Sequence, residues 1–287
     1  VHTAMQDSSP MILFVGQIGT EMREREAFQE VDYRAVFGTM VKRATEIEDT
    51  ERVPEMVARA WKVATSGRPG PVVVALPENT LNGSSGIDPI LEMRALAEPS
   101  PDAASLADAR ALLARAERPL MMLGGSMISD HSQRLFERFA EQSHIPAITA
   151  FRFQDCFNNH SPAFCGEAGV GMPPHVQRLI READVILAVN VRFGEMTTNA
   201  YTLMDVPVPK QKLIHVHGAE SELGKIYVPT IGIQAGPNAF AAALEPIERR
   251  PSEWSQGARK TYEAFLDVKA QPSPVDMASV IKHFRTV

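Results

Sequence analysis

The chain has 287 residues, of which 44% are hydrophobic and 22% charged, a composition typical of a globular protein with one large or two ordinary domains. A formal net charge of -6 excludes a strongly basic nucleic-acid surface, and no apolar run approaches the roughly 20 residues that cross a bilayer. We therefore expect a cytoplasmic protein that binds neither nucleic acid nor membrane. Cys156 and Cys165 lack a second pair for zinc; a disulfide between them stays an alternative, and we expect two reduced thiols.

The first elements predict part of a parallel sheet. An apolar strand at 11–15 follows a Ser-Pro break, and apolar residues at helical spacing predict a helix over 53–65. Gly67 can end that helix. The apolar run 72–76 lies between prolines and is typical of a strand covered on both faces. These elements are too few to cover a parallel sheet, so we expect a segment of a longer protein.

A Gly-, Ser- and Pro-rich linker is predicted at 83–101, between a first domain at 1–82 and a second domain at 102–268. In the second domain, helices are predicted over 102–116, 131–143, 173–182, 237–244 and 252–268, and strands over 119–126, 145–150, 183–190, 212–217 and 229–236. This alternation predicts a doubly wound, Rossmann-like α/β sheet, with an irregular stretch at 151–171. Residues 269–287 are predicted to be a linker and the start of a further domain.

Ligands of such sheets bind beyond the carboxyl ends of the strands, which makes the glycine turn after residue 123 a candidate phosphate site. A tight turn explains the same glycines equally well. The segment GEAGVG at 166–171 has the wrong order for the dinucleotide fingerprint and is predicted to follow no strand, which argues against an NAD-linked oxidoreductase. The candidate residues of a nucleotide cleft are Gly124, Gly125, Ser126, Gly169, Gly171 and Arg192.

The remaining polar residues assign no chemistry by themselves. His215 and His217 alternate on one strand, but no cluster of metal-ligand types accompanies them, so packed or surface histidines are expected and no metal site. The charged run 21–30 is most simply a solvated segment, although Phe28 and Gln29 within it suit a pocket wall. From the residues alone, the prediction is an α/β protein with a nucleotide cleft.

Three segments, SPMILFVGQ, AFQEVD and SGRPGPVVVALP, together resemble thiamine diphosphate-dependent enzymes of the acetolactate synthase type. RPLMMLGGSM, ADVILAVNVRFGEMTT and KLIHVHGAESELGK are similar to the central domain of that family, so the resemblance covers nearly the whole chain. It implies that residues 1–82 are the second half of a pyrimidine-binding domain. It also implies thiamine diphosphate and Mg²⁺ as cofactors of the full-length parent, a 2-oxo acid substrate, and a homo-oligomer, either dimer or tetramer.

By the same resemblance, Gln17, Phe28, Gln29 and Lys42 match positions of the active-site wall near the substrate channel. The glutamate that activates the coenzyme belongs upstream in the family. The GDG…NN motif for diphosphate and Mg²⁺ belongs downstream, and no GDG occurs in this chain. The resemblance therefore implies no complete catalytic set and an inactive chain when it is taken alone.

Departures from the FAD-binding synthases bear on a second cofactor. An arginine that those synthases direct at FAD falls on Gly38, and the histidine of their GMHG turn falls on Gly171. Their HIDID strand reads HVHGA here, with His217 and Ala219 in place of aspartates, while RFDDR reads RFGEM and keeps Arg192. Each lost hydrogen bond to a charged ligand group costs about 1.5–3 kcal/mol, so tight FAD binding is not expected.

One alternative from a different class stays open. The chain could act as a stand-alone module that binds ADP, CoA or FAD, or that serves assembly, without catalysis. Titration with these ligands and with thiamine diphosphate distinguishes the two, because tight ADP binding favours the module.

Overall fold

The protein is described by a computed structural model that covers residues 1–90, 92–93, 96–267, 272 and 274–286. Its strands form one three-stranded and one six-stranded sheet, both parallel, with helices packed against them. The predicted α/β class with a doubly wound sheet is thus confirmed. None of the described helices is both long and apolar enough to cross a membrane.

The first sheet has the order β1-β3-β2. Its helices and strands are α1 (His2–Gln6), β1 (Met11–Gln17), α2 (Tyr33–Phe37), β2 (Arg43–Glu46), α3 (Val53–Thr65), β3 (Pro71–Pro77) and α4 (Glu78–Asn82). Helix α3 packs Met56, Ala60 and Ala64 against Val72 and Val74 of the central strand β3, which explains the helical spacing of its apolar residues. The apolar run of β3 is buried on both faces, as predicted.

The second sheet has the order β6-β5-β4-β7-β8-β9. The remaining helices and strands are α5 (Ala103–Arg115), β4 (Pro119–Leu123), α6 (Asp130–Gln142), β5 (Ala147–Ala150), β6 (Phe164–Ala168), α7 (Pro174–Glu182), β7 (Val185–Val189), α8 (Glu195–Thr198), β8 (Lys212–His217), β9 (Ile231–Gln234), α9 (Pro237–Ala243), α10 (Glu253–Leu266) and α11 (Met277–Thr286). The strand order reverses between β4 and β7. This reversal is the point at which doubly wound sheets bind ligands.

Two apolar clusters cover the two faces of the second sheet. Met121 and Leu123 of β4 belong to one cluster, with side chains of α5, α6 and α9. Leu120 and Met122 of the same strand belong to the other, with side chains of α7. Alternate residues of β4 thus enter opposite cores, and this is why its apolar run shows no alternation with polar residues.

Two strands were missed by the sequence pattern. The stretch 151–171, predicted to be irregular, contains the edge strand β6, whose short FCGEA sequence includes a glycine at φ +123° and a glutamate. Its pairing with β5 shifts register between Ala147 and Thr149, so no simple alternation marks it. Strand β2 has the polar sequence RATE, and no strand was predicted there. Neither strand has the apolar composition of a typical strand. Each adopts strand conformation because it pairs with a neighbouring strand.

The predicted domain limits at residues 82, 101 and 268 stay predictions. Parts of the predicted segments 83–101, 252–268 and 269–287 lie outside the described residues.

Polar contacts hold the first sheet against the second. Arg68, in the loop after α3, donates from Nη1 to Glu222 Oε1 at 3.0 Å, and from Nε to Ser8 Oγ at 2.9 Å. Ser126, in the turn after β4, donates to the carbonyl of Ser8 at 2.5 Å. We call these contacts the seam; they fix the segment after α1 beside the carboxyl ends of the second sheet.

Candidate functional site

A cavity of about 460 Å³, hereafter the main cavity, lies at the carboxyl ends of β4, β5 and β7. Its walls are α1 with the segment that follows it, Gly125 after β4, segment 150–153 after β5, and Arg192, segment 194–197 and Tyr201 after β7. The strand order reverses between β4 and β7, so the cavity occupies the usual ligand position of a doubly wound sheet.

The glycine turn after β4 is shaped by its neighbours. A Cβ on Gly124 would lie 2.8 Å from the Cβ of Ala150, and one on Gly125 would lie 2.4 Å from Nδ2 of Asn190. Gly125 also has φ +73°, in the left-handed region. The Asn190 amide donates to the carbonyl of Ser126 at 3.0 Å and closes the turn. Packing thus explains both glycines, and their contact with a phosphate stays a prediction.

Arg192 places an unneutralised positive charge at the main cavity. No acidic side chain pairs with it within the described part of the chain, and its Nε is buried without a hydrogen-bond partner there. Its guanidinium lies close to Gly194, where a Cβ would be 2.7 Å from Nη1. An unpaired guanidinium in a partly enclosed cavity attracts anions, because the surrounding dielectric is lower than in water.

The second cation of the main cavity, Arg152, is already paired. Its Nη1 lies 2.6 Å from Oδ2 of Asp7, and its backbone N–H donates to Glu167 Oε1 at 2.9 Å. The guanidinium also lies 4.9 Å from the centre of the Phe151 ring. Arg192 is therefore the cation of this cavity that is available to an anionic ligand.

The six residues predicted for a nucleotide cleft do not converge on one cavity. Gly125 and Arg192 line the main cavity, whereas Ser126 lines a separate cavity of about 440 Å³. Gly171 lines a third, of about 300 Å³, beside β6. A Cβ on Gly169 would lie 2.8 Å from the ring of Phe151, so that glycine serves packing. The prediction that GEAGVG follows no strand is wrong, because its first three residues belong to β6.

The cavity of about 440 Å³ lies between the end of α3, the segment 96–99 and the strand ends near the start of α9. Glu98 of this segment closes one side, because its Oε2 accepts the backbone N–H groups of Asn238 at 2.8 Å and Ala239 at 2.9 Å. A carboxylate of the chain itself thus satisfies the first turn of α9.

Residues 106–244 match the family model of the thiamine pyrophosphate enzyme central domain. This segment is a thiamine pyrophosphate enzyme central domain. It contains β4 to β9 and therefore the whole six-stranded sheet, and it supplies every wall of the main cavity except α1 and the segment that follows α1.

Curated relatives extend the similarity beyond the central domain. The chain is 31% identical to a probable acetolactate synthase large subunit of Methanocaldococcus jannaschii, over 78% of this chain and 39% of the relative. It is 30% identical to the acetolactate synthase isozyme 1 large subunit of Escherichia coli, over 89% of this chain and 45% of the relative. The predicted resemblance is confirmed, and the chain spans about two fifths of the length of these relatives.

Upstream of the central domain, two of the predicted active-site wall residues are engaged within the chain. Gln17, at the end of β1, donates to the carbonyl of Val31 at 2.7 Å. Lys42 donates to the carbonyl of Ser66 at 2.5 Å. Burial lowers the pKa of Lys42, and the nearby Arg68 lowers it further.

Phe28 and Gln29, the other two wall residues, lie exposed outside the central domain. The Phe28 side chain is 88% exposed, and neither residue lines any of the three cavities. Nothing in these contacts tests the catalytic role of the four wall residues, which stays a prediction.

Two histidines of β8 are packed in the central domain, one of the two predicted alternatives. His215 and His217 are each 2% exposed. His215 donates from Nε2 to the carbonyl of Val191 at 3.0 Å, and His217 Nδ1 accepts from the backbone of Ala219 at 3.0 Å. Burial lowers the pKa of both. Within the described ranges, no three His, Cys, Asp or Glu side chains are grouped so as to hold a metal ion.

The sequence analysis missed the residues that join the central domain to the first sheet. Arg68 and Glu222 form a buried pair, and Glu98 binds the start of α9. Arg68 and Glu222 lie in SGRPGPV and GAESELGK, the segments that carry the resemblance, so these motifs were visible although the pairing was not. The sequence analysis also did not single out Tyr227, a residue of the central domain that is only 1% exposed.

Proposed function

We propose that the chain is part of a thiamine diphosphate-dependent enzyme that decarboxylates a 2-oxo acid or joins it to a second carbonyl compound. The observation that carries the proposal is the similarity to acetolactate synthase large subunits over most of this chain. The central domain supplies the family context. The enzyme class is therefore a transferase or lyase, with Mg²⁺ as the partner of the diphosphate.

The described residues do not fit a complete thiamine diphosphate site. When bound, this coenzyme supplies the carbanion chemistry of the reaction, and the protein must hold its diphosphate and metal. The described ranges contain no metal-holding cluster, and the polar groups of Gln17 and Lys42 already have partners within the chain. We accordingly assign no catalytic step to this chain and propose that alone it is inactive.

The flanking reading frames of the gene provide the test. They are expected to encode an upstream glutamate motif and a downstream GDG…NN motif. The extended protein should release CO₂ from a 2-oxo acid such as pyruvate when thiamine diphosphate and Mg²⁺ are added. Titration calorimetry on the 287-residue chain should show thiamine diphosphate binding no more tightly than inorganic pyrophosphate does. An extended protein that binds the coenzyme but leaves every 2-oxo acid unchanged would contradict the proposal.

A second function, nucleotide binding, is favoured by Arg192 at the main cavity. Its guanidinium has no partner within the described part of the chain, and the cavity lies where doubly wound sheets bind nucleotides. A diphosphate such as that of ADP suits an arginine, which can donate two parallel hydrogen bonds to it. The expected ligand is ADP or CoA, with FAD bound weakly.

Titration calorimetry with ADP, CoA and FAD tests this second function. Arg192→Gln should weaken ADP binding by about tenfold or more, because a hydrogen bond to a charged group is lost. Arg181→Gln removes an exposed cation that lies outside the main cavity, and it serves as the matched control. Equal ADP affinity in both variants would contradict the proposed role of Arg192. Purified protein with stoichiometric flavin would contradict weak FAD binding.

We further propose that the protein forms a homo-oligomer. The side chains of Phe14 on β1 and Phe28 are 49% and 88% exposed, and β1 is an edge strand of its sheet. Exposed aromatic side chains and an open strand edge favour association. Light scattering should give a mass of at least two chains, and a monodisperse monomer would count against this.

A further inference from the structure

A second, much smaller cavity shares Arg192 with the main cavity. Its volume is about 30 Å³, more than the roughly 10–15 Å³ that a buried water needs. The polar residues of its wall include Arg192, His215, Glu222 and Tyr227. It lies within the central domain, beside the seam at Glu222.

Three residues of this wall each carry a buried polar atom that makes no hydrogen bond of normal distance and angle to another described residue. These atoms are Nε of Arg192, Nδ1 of His215 and Oη of Tyr227. His215 and Tyr227 are only 2% and 1% exposed, so bulk water does not reach them freely. A buried polar atom without a partner costs about 1–3 kcal/mol, and the three residues that carry these atoms all line the same cavity.

The neighbouring hydroxyl of Thr198 accounts for only part of the hydrogen-bonding capacity of Tyr227. Burial raises the pKa of the Tyr227 phenol, and the side-chain interaction with Thr198 lowers it. The Thr198 hydroxyl already donates to the carbonyl of Gly194 at 2.8 Å and accepts the backbone N–H of Tyr201 at 3.0 Å, so it can only accept from the phenol. The phenol oxygen therefore keeps its own lone pairs for a further donor.

The three atoms are complementary as donors and acceptors. Nε of Arg192 carries a hydrogen and can only donate. The Nε2–H of His215 donates to the carbonyl of Val191, so Nδ1 of the neutral ring is an acceptor. The phenol of Tyr227 can do either. A single water can accept from the arginine, donate to the histidine and form a third hydrogen bond with the phenol.

We propose that this cavity holds an ordered water that bridges Arg192, His215 and Tyr227. A water needs two to four polar partners and one probe sphere of space, and this site supplies both. The bridge fixes the plane of the Arg192 guanidinium at the wall of the main cavity. His215 and Tyr227 are then positioning residues for that arginine. Only the consequence for anion binding rests on the proposed nucleotide function; the water site does not.

The water is tested directly by NMR of the Nε–Hε group of Arg192, assigned from the resonance that disappears in Arg192→Lys. In the wild-type chain, Hε should exchange slowly with solvent and show a cross-peak to a long-lived water. Tyr227→Phe, nearly isosteric, should accelerate that exchange. Tyr33→Phe removes a phenol hydroxyl on α2, outside the wall of this cavity, and should leave it unchanged. A wild-type Hε without a water cross-peak would overturn the proposal, whether or not the variants fold.

The positioning role is tested with inorganic pyrophosphate as the probe. Tyr227→Phe should weaken its binding about three- to tenfold, because one bond of the bridge is lost, while Tyr33→Phe should not. Unchanged affinity in Tyr227→Phe overturns the positioning role. If pyrophosphate and ADP do not bind the wild-type chain at all, the nucleotide function fails, and the NMR signature still decides the water site.

Discussion

The Arg68 guanidinium lies 3.0 Å from the carboxylate of Glu222, and this pair joins the loop after α3 to the turn after β8. The two side chains are only 14% and 4% exposed. Burial lowers the pKa of Arg68, and Glu222 opposes the change. Burial alone would raise the pKa of Glu222, but Lys225 and Arg68 outweigh it, so the carboxyl has a lowered pKa. The ion-pair partners of each side chain thus favour its charged form against the effect of burial.

Removal of Arg68 should destabilise the protein strongly. Arg68→Ala leaves the buried Glu222 carboxylate with Lys225 as its remaining ion-pair partner among the described residues, and such a loss costs about 3 kcal/mol. The free energy of unfolding in urea measures it. Arg52→Ala breaks the exposed pair with Glu55 and should cause no measurable change. A similar decrease in the free energy of unfolding in both variants would show that burial of the Arg68–Glu222 pair adds nothing to its contribution to stability.

Acid should destabilise the central domain through His215. Burial lowers the pKa of this imidazole from 6.5 to about 4, so the unfolded chain binds the proton more readily. Above pH 6.5 this imidazole does not reduce the free energy of unfolding. As the pH falls from 6.5 to 4, the free energy of unfolding decreases by about 3 kcal/mol.

Urea unfolding measured from pH 7 to pH 4 checks this. His215→Gln removes the titrating ring and should flatten the decline. His160→Gln, at an exposed position, should leave the decline unchanged. An equally steep decline in His215→Gln would place the acid sensitivity elsewhere.

Two glycine substitutions should act in opposite directions. Gly125→Ala must adopt φ +73° and place a Cβ within 2.4 Å of Asn190, so it should lower the free energy of unfolding by at least about 2 kcal/mol. Gly257 lies within α10, where an added Cβ would meet no atom within 4 Å, and Gly257→Ala should raise it by about 0.5–1 kcal/mol. Thermal and urea unfolding of both variants provide the measurement. A neutral Gly125→Ala would mean that the turn relaxes.

Native protein should resist thiol reagents. Cys156 and Cys165 are free and buried, and burial raises the pKa of each to about 12. The reactive thiolate is therefore scarce at pH 8, and the sulfur atoms are covered. Reaction with a chromogenic disulfide should modify two thiols in urea and none in the native state. Rapid native labelling would contradict the burial of at least one of them.

The sequence predicted most of the elements because the buried strands carry continuous apolar runs. Strand β4, with its PLMML sequence, is buried on both faces, and α3 has clear helical spacing. Strands β2 and β6 were not predicted, because RATE is short and polar and FCGEA is short and interrupted by glycine. Their strand conformation depends on a neighbour that is distant in sequence, which no local pattern reports.

The candidate site was predictable only in part. Arg192 could be singled out by resemblance, and it does line the main cavity. Its lack of an ion-pair partner depends on tertiary packing, because the nearby carboxylate of Asp7 pairs with Arg152 instead. The division of Ser126 and Gly171 into other cavities likewise depends on how the seam and β6 pack. Such distances are set by tertiary packing and leave no signature in spacing.

Glu98 gives the connecting segment an electrostatic role. Besides its bonds to the first turn of α9, the same region supplies the carbonyl of Pro99, which accepts the backbone N–H of Gly236 at 2.9 Å. An anionic ligand near α9 would therefore have to displace a tethered carboxylate whose effective concentration is high. Because the N–H groups of Asn238 and Ala239 are both occupied by a carboxylate of the chain itself, the start of α9 differs from the open helix start that usually receives a phosphate in such sheets.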